Sequence, residues 1–323
     1  MPSIVIIIII FIICIFAISQ LIRMIIFSKI SDPKLLKDYK EVKTDDYLDK
    51  MYDKVLEKDQ DETDVGQYYE KLSSSFLFDV NESHNAFTFK NTVLSHPSEF
   101  NYLLSELSKV PKDKEITILD CGTGVGGLSI YLAEMLPKAK IVAITNADKQ
   151  YEIVRQKILD KKLQDRMTVA VIDFDKIMDQ FEKNTFDYIF FIESHGYSKN
   201  RQVLFKNMND LLKEDGKVYI RTPVFQNSTR ELMKELQYKE IKFWRYNFSN
   251  SELIMNDLLK SGFDVKYKTI SSFTALLVAH IIDIIKGTLF CILCLGYSLR
   301  KAIESYIIKR LNVEILVVTA TKK

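Results

Sequence analysis

Residues 118–134 read ILDCGTGVGGLSIYLAE, and this run restricts the possible folds more than any other. Ile118 and Leu119 lead into Asp120 as the end of a buried strand. Gly122, Gly124, Gly126 and Gly127 crowd into a short loop, and apolar residues return at helical spacing from Leu128. Glycine lets the backbone turn sharply and lets a ligand approach the peptide, while a helix start presents unpaired N–H groups. The same alternation then continues. Strands are expected at 117–120, 140–145, 167–172, 188–192, 216–222, 263–269 and 313–319, and helices at 127–135, 148–161, 202–212, 230–236 and 250–260. Strands and helices in turn imply an α/β fold, a parallel sheet of seven strands covered by helices on both faces.

A glycine loop between strand and helix can hold a dinucleotide pyrophosphate or the adenosyl and methionine parts of S-adenosylmethionine. The acidic residue at its entrance separates the two. Asp120 would repel a pyrophosphate, whereas its carboxylate suits the ammonium of a methionine moiety. A dinucleotide site also expects an acidic residue at the end of the second strand for the ribose, and this chain has Thr145 and Asn146 there.

Residues 115–222 resemble the class I methyltransferases, whose sheet is Rossmann-like, and the pattern extends over roughly 67–322. D-C-G-T-G-x-G-G resembles the first motif of that family, with Asp120, Gly122, Thr123, Gly124 and Gly126 as implied cofactor contacts. Asp173 and Phe174 resemble the acidic and hydrophobic pair that holds the adenine. FDYIFFIES (186–194) is similar to the fourth strand, and LLKEDGKVYI (211–220) to the turn and strand that follow. The resemblance implies a methyltransferase that uses S-adenosylmethionine.

Within the family, T-N-A-D-K-Q (145–150) is similar to a T-x-S-x-x-Q pattern. That pattern marks the small-molecule and lipid branch, with its sterol, tocopherol and prenyl diphosphate C-methyltransferases and cyclopropane-fatty-acid synthases. Ala147 stands where the pattern has serine. The match implies Thr145, Asn146 and Gln150 as cofactor ligands; Asp148 reads equally well as a helix cap. Open parallel sheets bind ligands beyond the carboxyl ends of their strands, so E-S-H-G-Y (193–197) should face the methyl group. Glu193, His195 and Tyr197 are the candidate catalytic residues. A carboxylate can take the proton released after alkene methylation, or Glu193 only orients backbone. O- or N-methylation needs little beyond alignment.

From 4 to 18 the chain is unbroken apolar, and apolar residues continue through Leu21, Ile22, Met24 and Phe27. About 20 such residues span a bilayer. Arg23, Lys29, Lys34 and Lys37 follow the run and none precede it, which places the rest on the cytosolic side. A single-pass anchor at 1–30 is expected, the endoplasmic reticulum being one candidate membrane. A charged helical linker (31–64) then leads to a methyltransferase domain (65–323). Its opening part (65–110) is rich in Tyr and Phe, including Tyr68, Tyr69 and Phe76, and reads as an aromatic cap. A second apolar stretch within 272–311 is interrupted by His280, Asp283 and Lys286. These make spanning costly and favour an interfacial element or lid.

With 45 Lys and Arg against 43 Asp and Glu, no global field points to nucleic acid. The Cys291-x-x-Cys294 pair has no second ligand pair beside it and reads as apolar packing, so no metal is expected. The favoured function is methyl transfer from S-adenosylmethionine to a small, lipidic acceptor at a membrane. The alternatives are N-methylation of a phospholipid head group or amine, and a non-catalytic scaffold of the same fold. No sequence feature specifies an oligomeric state.

Overall fold

The computed structural model describes residues 46–58, 110, 112–227, 234–235, 237–238, 241–242, 245–271 and 313–323. Seven strands form one sheet: β1 (Ile116–Cys121), β2 (Ala139–Thr145), β3 (Met167–Val171), β4 (Phe186–Ile192), β5 (Leu212–Phe225), β6 (Phe263–Ser271) and β7 (Val313–Lys322). Five helices bear on the sheet: α1 (Tyr47–Lys58), α2 (Gly127–Met135), α3 (Asp148–Asp160), α4 (Arg201–Leu211) and α5 (Ser251–Lys260), and residues 234–235, 237–238 and 241–242 are helical as well. Short 310 turns follow β3 (Phe174–Asp179) and β4 (His195–Tyr197).

The strand order is β3-β2-β1-β4-β5-β7-β6. The expected all-parallel sheet is mixed, because β7 inserts between β5 and β6 and runs antiparallel to both. Alternating apolar patterning does not encode strand direction, so the last strand's reversal left no mark in the sequence. Strand β5 also begins before the expected Gly216. Phe186 pairs with Leu212 before the register shifts to Tyr188 opposite Lys217.

Successive side chains of a strand point to opposite faces, and β1 supplies both cores. Ile116 and Ile118 join Leu128, Ile130 and Leu132 of α2 and Val154 and Ile158 of α3. Leu119 and Cys121 join Leu204, Phe205 and Met208 of α4 and Ile254 and Leu258 of α5. A third cluster lies at the carboxyl end of β5, where Leu48, Met51, Tyr52 and Val55 of α1 pack with Phe225, Tyr238, Tyr246 and Phe248.

Helix α1 falls within the stretch read as a helical linker, and it buries Leu48, Met51, Tyr52 and Val55 at helical spacing. A buried ion network adds to that docking. The Arg201 guanidinium, 10% exposed, donates to Asp257 of α5 (2.6 and 2.8 Å) and to Asp49 of α1 (3.1 and 3.3 Å). Gln202 Nε2 donates to the other Asp257 oxygen at 3.0 Å.

Among the described residues no helix is long and apolar enough to cross a membrane. The expected anchor at 1–30, the cap at 65–110 apart from Val110, the helix at 230–236 apart from residues 234–235, and the insertion at 272–311 lie outside the described residues.

Removing one partner of a buried ion pair strands the other charge, at about 3 kcal/mol or more. Arg201→Ala should therefore lower the unfolding free energy by about 3 kcal/mol in urea titrations. An unchanged urea midpoint would show that the network does not hold α1.

Candidate active site

The sheet reverses its winding between β1 and β4, and the crevice beyond those strand ends is where open α/β sheets place ligands. The loop after β1 is pinned at its entrance, with the backbone N–H groups of Gly122 and Thr123 both donating to the Ile144 carbonyl at 2.9 Å. Gly122 has φ +78, and a Cβ there would lie 2.5 Å from the Ser194 Cβ. The post-β4 segment packs that closely because Ser194 Oγ donates to the Cys121 carbonyl. At Gly124 a Cβ would meet nothing within 4 Å, so the crest of the loop is open.

Asp120 lies beneath this loop, 2% exposed. Ser129 Oγ of α2 donates to its Oδ2 at 2.6 Å and is itself 3.2 Å from Thr123 Oγ1. Burial pushes the Asp120 carboxyl above its usual range, and hydrogen bonds from Ser129 and Thr123 partly offset this. Among the described residues no cation pairs with it. A buried carboxylate without a counter-ion suits a ligand that brings a positive charge to the glycine loop, as the ammonium of S-adenosylmethionine would. Burial, with Asp120 adjacent, also pushes the Cys121 thiol well up, so it is no nucleophile at neutral pH.

At the end of β2, Thr145 Oγ1 donates to Gln150 Oε1 at 2.7 Å and accepts the Ala147 N–H at 3.2 Å. The helix cap position is Ala147, so Asp148 is the first residue of α3 and not its cap. Asn146 is half-buried beside them. After β3, Asp173 is exposed and its carboxylate accepts the Asp175 N–H at 2.9 Å, capping the 310 turn. Phe174 packs edge-on against Phe191 at 5.9 Å. The expected cofactor residues thus occupy the carboxyl ends of β1, β2 and β3, three neighbouring strands.

After β4, Glu193 takes a positive φ and its carboxylate is ion-paired with Arg221 of β5. His195 is 1% exposed; it stacks on Phe205 at 6.1 Å, and its Nδ1 lies 3.3 Å from the Tyr246 hydroxyl. Burial, reinforced by Arg201, pushes its imidazole down to about 3. Tyr197 meets Tyr246 edge-on at 4.8 Å. Gly196 is required between them, since a Cβ there would lie 2.5 Å from the Tyr246 ring.

Several members of this site were missed in the sequence. Arg221 had a signal, a lone cation within an apolar strand. Ser129 hid in the apolar pattern of α2. Tyr246 and Thr222, whose hydroxyls lie 2.8 Å apart, gave none, because their contacts arise only when β5 and residues 245–250 fold together.

Residues 112–268 match the model of a family described as a methyltransferase domain. A sterol 4-C-methyltransferase of Caenorhabditis elegans is 30% identical over 136 residues, covering 41% of this chain and 40% of that protein. An (S)-coclaurine N-methyltransferase of Thalictrum flavum subsp. glaucum is 26% identical over 105 residues, covering 32% and 28%. The chain thus spans less than half the length of these two relatives. Among solved structures, a phosphoethanolamine N-methyltransferase of Haemonchus contortus in complex with S-adenosyl-L-methionine superposes with a TM-score of 0.64 at 19% identity, covering 82% of this chain and 61% of that one. A geranyl diphosphate C-methyltransferase of Streptomyces coelicolor gives a TM-score of 0.54 at 13% identity, covering 69% and 78%. At these identities the structural likeness is one of fold.

Two measurements test the electrostatics of this site. A raised carboxyl pKa means the charged form of Asp120 opposes folding at neutral pH, so Asp120→Asn should be as stable as wild type or more so. It should nevertheless bind S-adenosylhomocysteine about 10- to 100-fold more weakly in calorimetry, the range a charge-assisted hydrogen bond supplies; equal affinity would misplace the site. For His195, the unfolded chain binds a proton below about 6.5 that the native state refuses until about 3. Its contribution is complete above 6.5 and lost as pH falls toward 3, at up to about 1.4 kcal/mol per pH unit. His195→Phe should flatten that acid limb in denaturant titrations at a series of pH values.

Proposed function

We propose that this chain, which carries a class I methyltransferase domain over residues 112–268, transfers a methyl group from S-adenosylmethionine to a small, lipidic acceptor at a membrane surface. The observation that carries this reading is Asp120, a buried carboxylate with no cation among the described residues, beneath an open glycine loop at the β1/β4 switch point. Asp120 and the Gly122–Gly126 backbone would hold the methionine part. Thr145, Asn146 and Gln150 would take the ribose side, and Asp173 and Phe174 the adenine. When bound, the cofactor supplies an electrophilic methyl on a sulfonium, and the protein's task is alignment and exclusion of water.

The side chains beyond β4 suit that task. Arg221 neutralises Glu193 and fixes its orientation, so Glu193 acts as a positioning carboxylate here rather than a free base. Tyr197 packs against Tyr246 and Phe248 after β4, in the cluster that Tyr52 of α1 joins. A second reading, N-methylation of a phospholipid head group or other amine, is favoured by the neutral His195 beside Tyr246.

The membrane part of the reading rests on connectivity. Ser271 faces Glu314 across the β6–β7 ladder, and Val313 faces Phe225 at the carboxyl end of β5. The apolar stretch 272–311 is therefore attached at the same end of the sheet as the site. Helix α1, which follows the isoleucine-rich run 4–18, docks at that end too. A membrane anchor with the catalytic domain on its cytosolic side would bring this end to the bilayer.

The full-length chain in lipid nanodiscs should bind S-adenosylmethionine and S-adenosylhomocysteine in calorimetry. It should then transfer labelled methyl from the former into a component of a lipid extract. Binding without any transfer, to lipid or to water-soluble amines, would favour a scaffold. Transfer only to water-soluble amines would favour the second reading.

A further inference from the structure

One face of α3 runs along the glycine loop and the strand end beside it. Gln150, Val154 and Lys157 stand at i, i+4 and i+7 of that helix, which puts their side chains on one stripe. Gln150 Oε1 accepts the Thr145 hydroxyl at the end of β2, at 2.7 Å. Val154 closes on Gly126, where a Cβ would lie 3.1 and 3.2 Å from its two methyl groups. Lys157 is half-buried, and its Nζ donates to the Val125 carbonyl at 3.1 Å. That carbonyl belongs to the loop itself, between Gly124 at φ +56 and Gly126 at φ +83, residues that resist a turn of the intervening peptide less than any others would. The remaining printed ties of the loop lie elsewhere: Gly122 and Thr123 donate to the Ile144 carbonyl at its entrance, and the Gly126 N–H donates to the Thr123 carbonyl at 3.0 Å. Four of the six residues from 122 to 127 are glycine, so holding this loop in one shape costs more conformational entropy than an ordinary loop of its length. Whatever holds it before the ligand arrives lowers the cost of binding.

We propose that Lys157 is a positioning residue for the cofactor: by holding the Val125 carbonyl toward α3, it keeps the crest of the loop in the shape that receives S-adenosylmethionine. This rests on the S-adenosylmethionine reading of the loop and adds to it a cation from the following helix. A hydrogen bond from an ammonium is stronger than one between neutral groups, which suits Lys157 to fixing a peptide flanked by glycines. Lys157 acts through the loop backbone. Its loss therefore loosens the loop first and weakens cofactor binding as a consequence.

The test uses the full-length chain in nanodiscs. S-adenosylmethionine and S-adenosylhomocysteine are titrated calorimetrically into wild type, Lys157→Met, Lys157→Arg and Arg155→Met, the last at a 57% exposed position of α3 paired with Glu152. Lys157→Met keeps the aliphatic stem and removes the ammonium. It should bind both compounds about 10-fold more weakly, the lower end of what a hydrogen bond to a charged group supplies. Lys157→Arg should recover most of the affinity, and Arg155→Met should bind like wild type. In hydrogen exchange without ligand, the amides of 122–126 should exchange faster in Lys157→Met while those of β1 keep their wild-type rates. Wild-type affinity in Lys157→Met would overturn the proposal. So would Lys157→Arg or Arg155→Met as weak as Lys157→Met, or a loss of protection in β1 equal to that in the loop, which marks general loosening. If wild type binds neither compound, the S-adenosylmethionine reading fails instead, and loop exchange alone decides whether Lys157 holds the loop.

Discussion

The contact on which the site depends is the close approach of Gly122 to Ser194. The loops that follow β1 and β4 must pass each other at the switch point, and only a residue without a side chain lets them come so near. The Ser194 hydroxyl bonded to the Cys121 carbonyl locks the two loops together. One loop then turns toward α2 with its crest open, and the other carries Glu193, paired with Arg221, and His195, stacked on Phe205. A larger residue at 122 would separate the glycine loop from the segment after β4, whatever the rest of the sheet did.

Around that contact, charge is treated in two ways. Arg201 binds Asp49 and Asp257 and so joins α1, α4 and α5, and Arg221 holds Glu193. These cations are buried but paired, as the low dielectric of an interior demands. Asp120 and His195 differ. Among the described residues Asp120 has hydroxyl donors but no cation, and His195 is kept neutral with one nitrogen unpartnered.

Much of this was legible beforehand. The elements of the sheet followed from apolar runs of strand length between helical repeats, and the glycine loop from its spacing. Asp120 stood out because an acidic residue before a glycine turn excludes one class of ligand. What escaped reading was pairing at a distance. Glu193 reads in the sequence as a base or as an orienting carboxylate, and its ion pair with Arg221, on a neighbouring strand, has no local signal. Asp148 looked like a cap until Thr145 was found bonded to the Ala147 N–H ahead of α3. Tyr246 carried no local signal at all.

By itself the sequence determined the order of strands and helices, the glycine loop and the residues at the strand ends, because each depends on periodicity and on the conformational freedom of glycine over a few neighbouring positions. Only the tertiary structure decided the antiparallel direction of β7, the docking of α1 at the carboxyl end of β5, the pairing of Glu193 and the contact of His195 with Tyr246. Those depend on groups far apart along the chain whose energies exist only after the sheet has brought them within hydrogen-bonding distance.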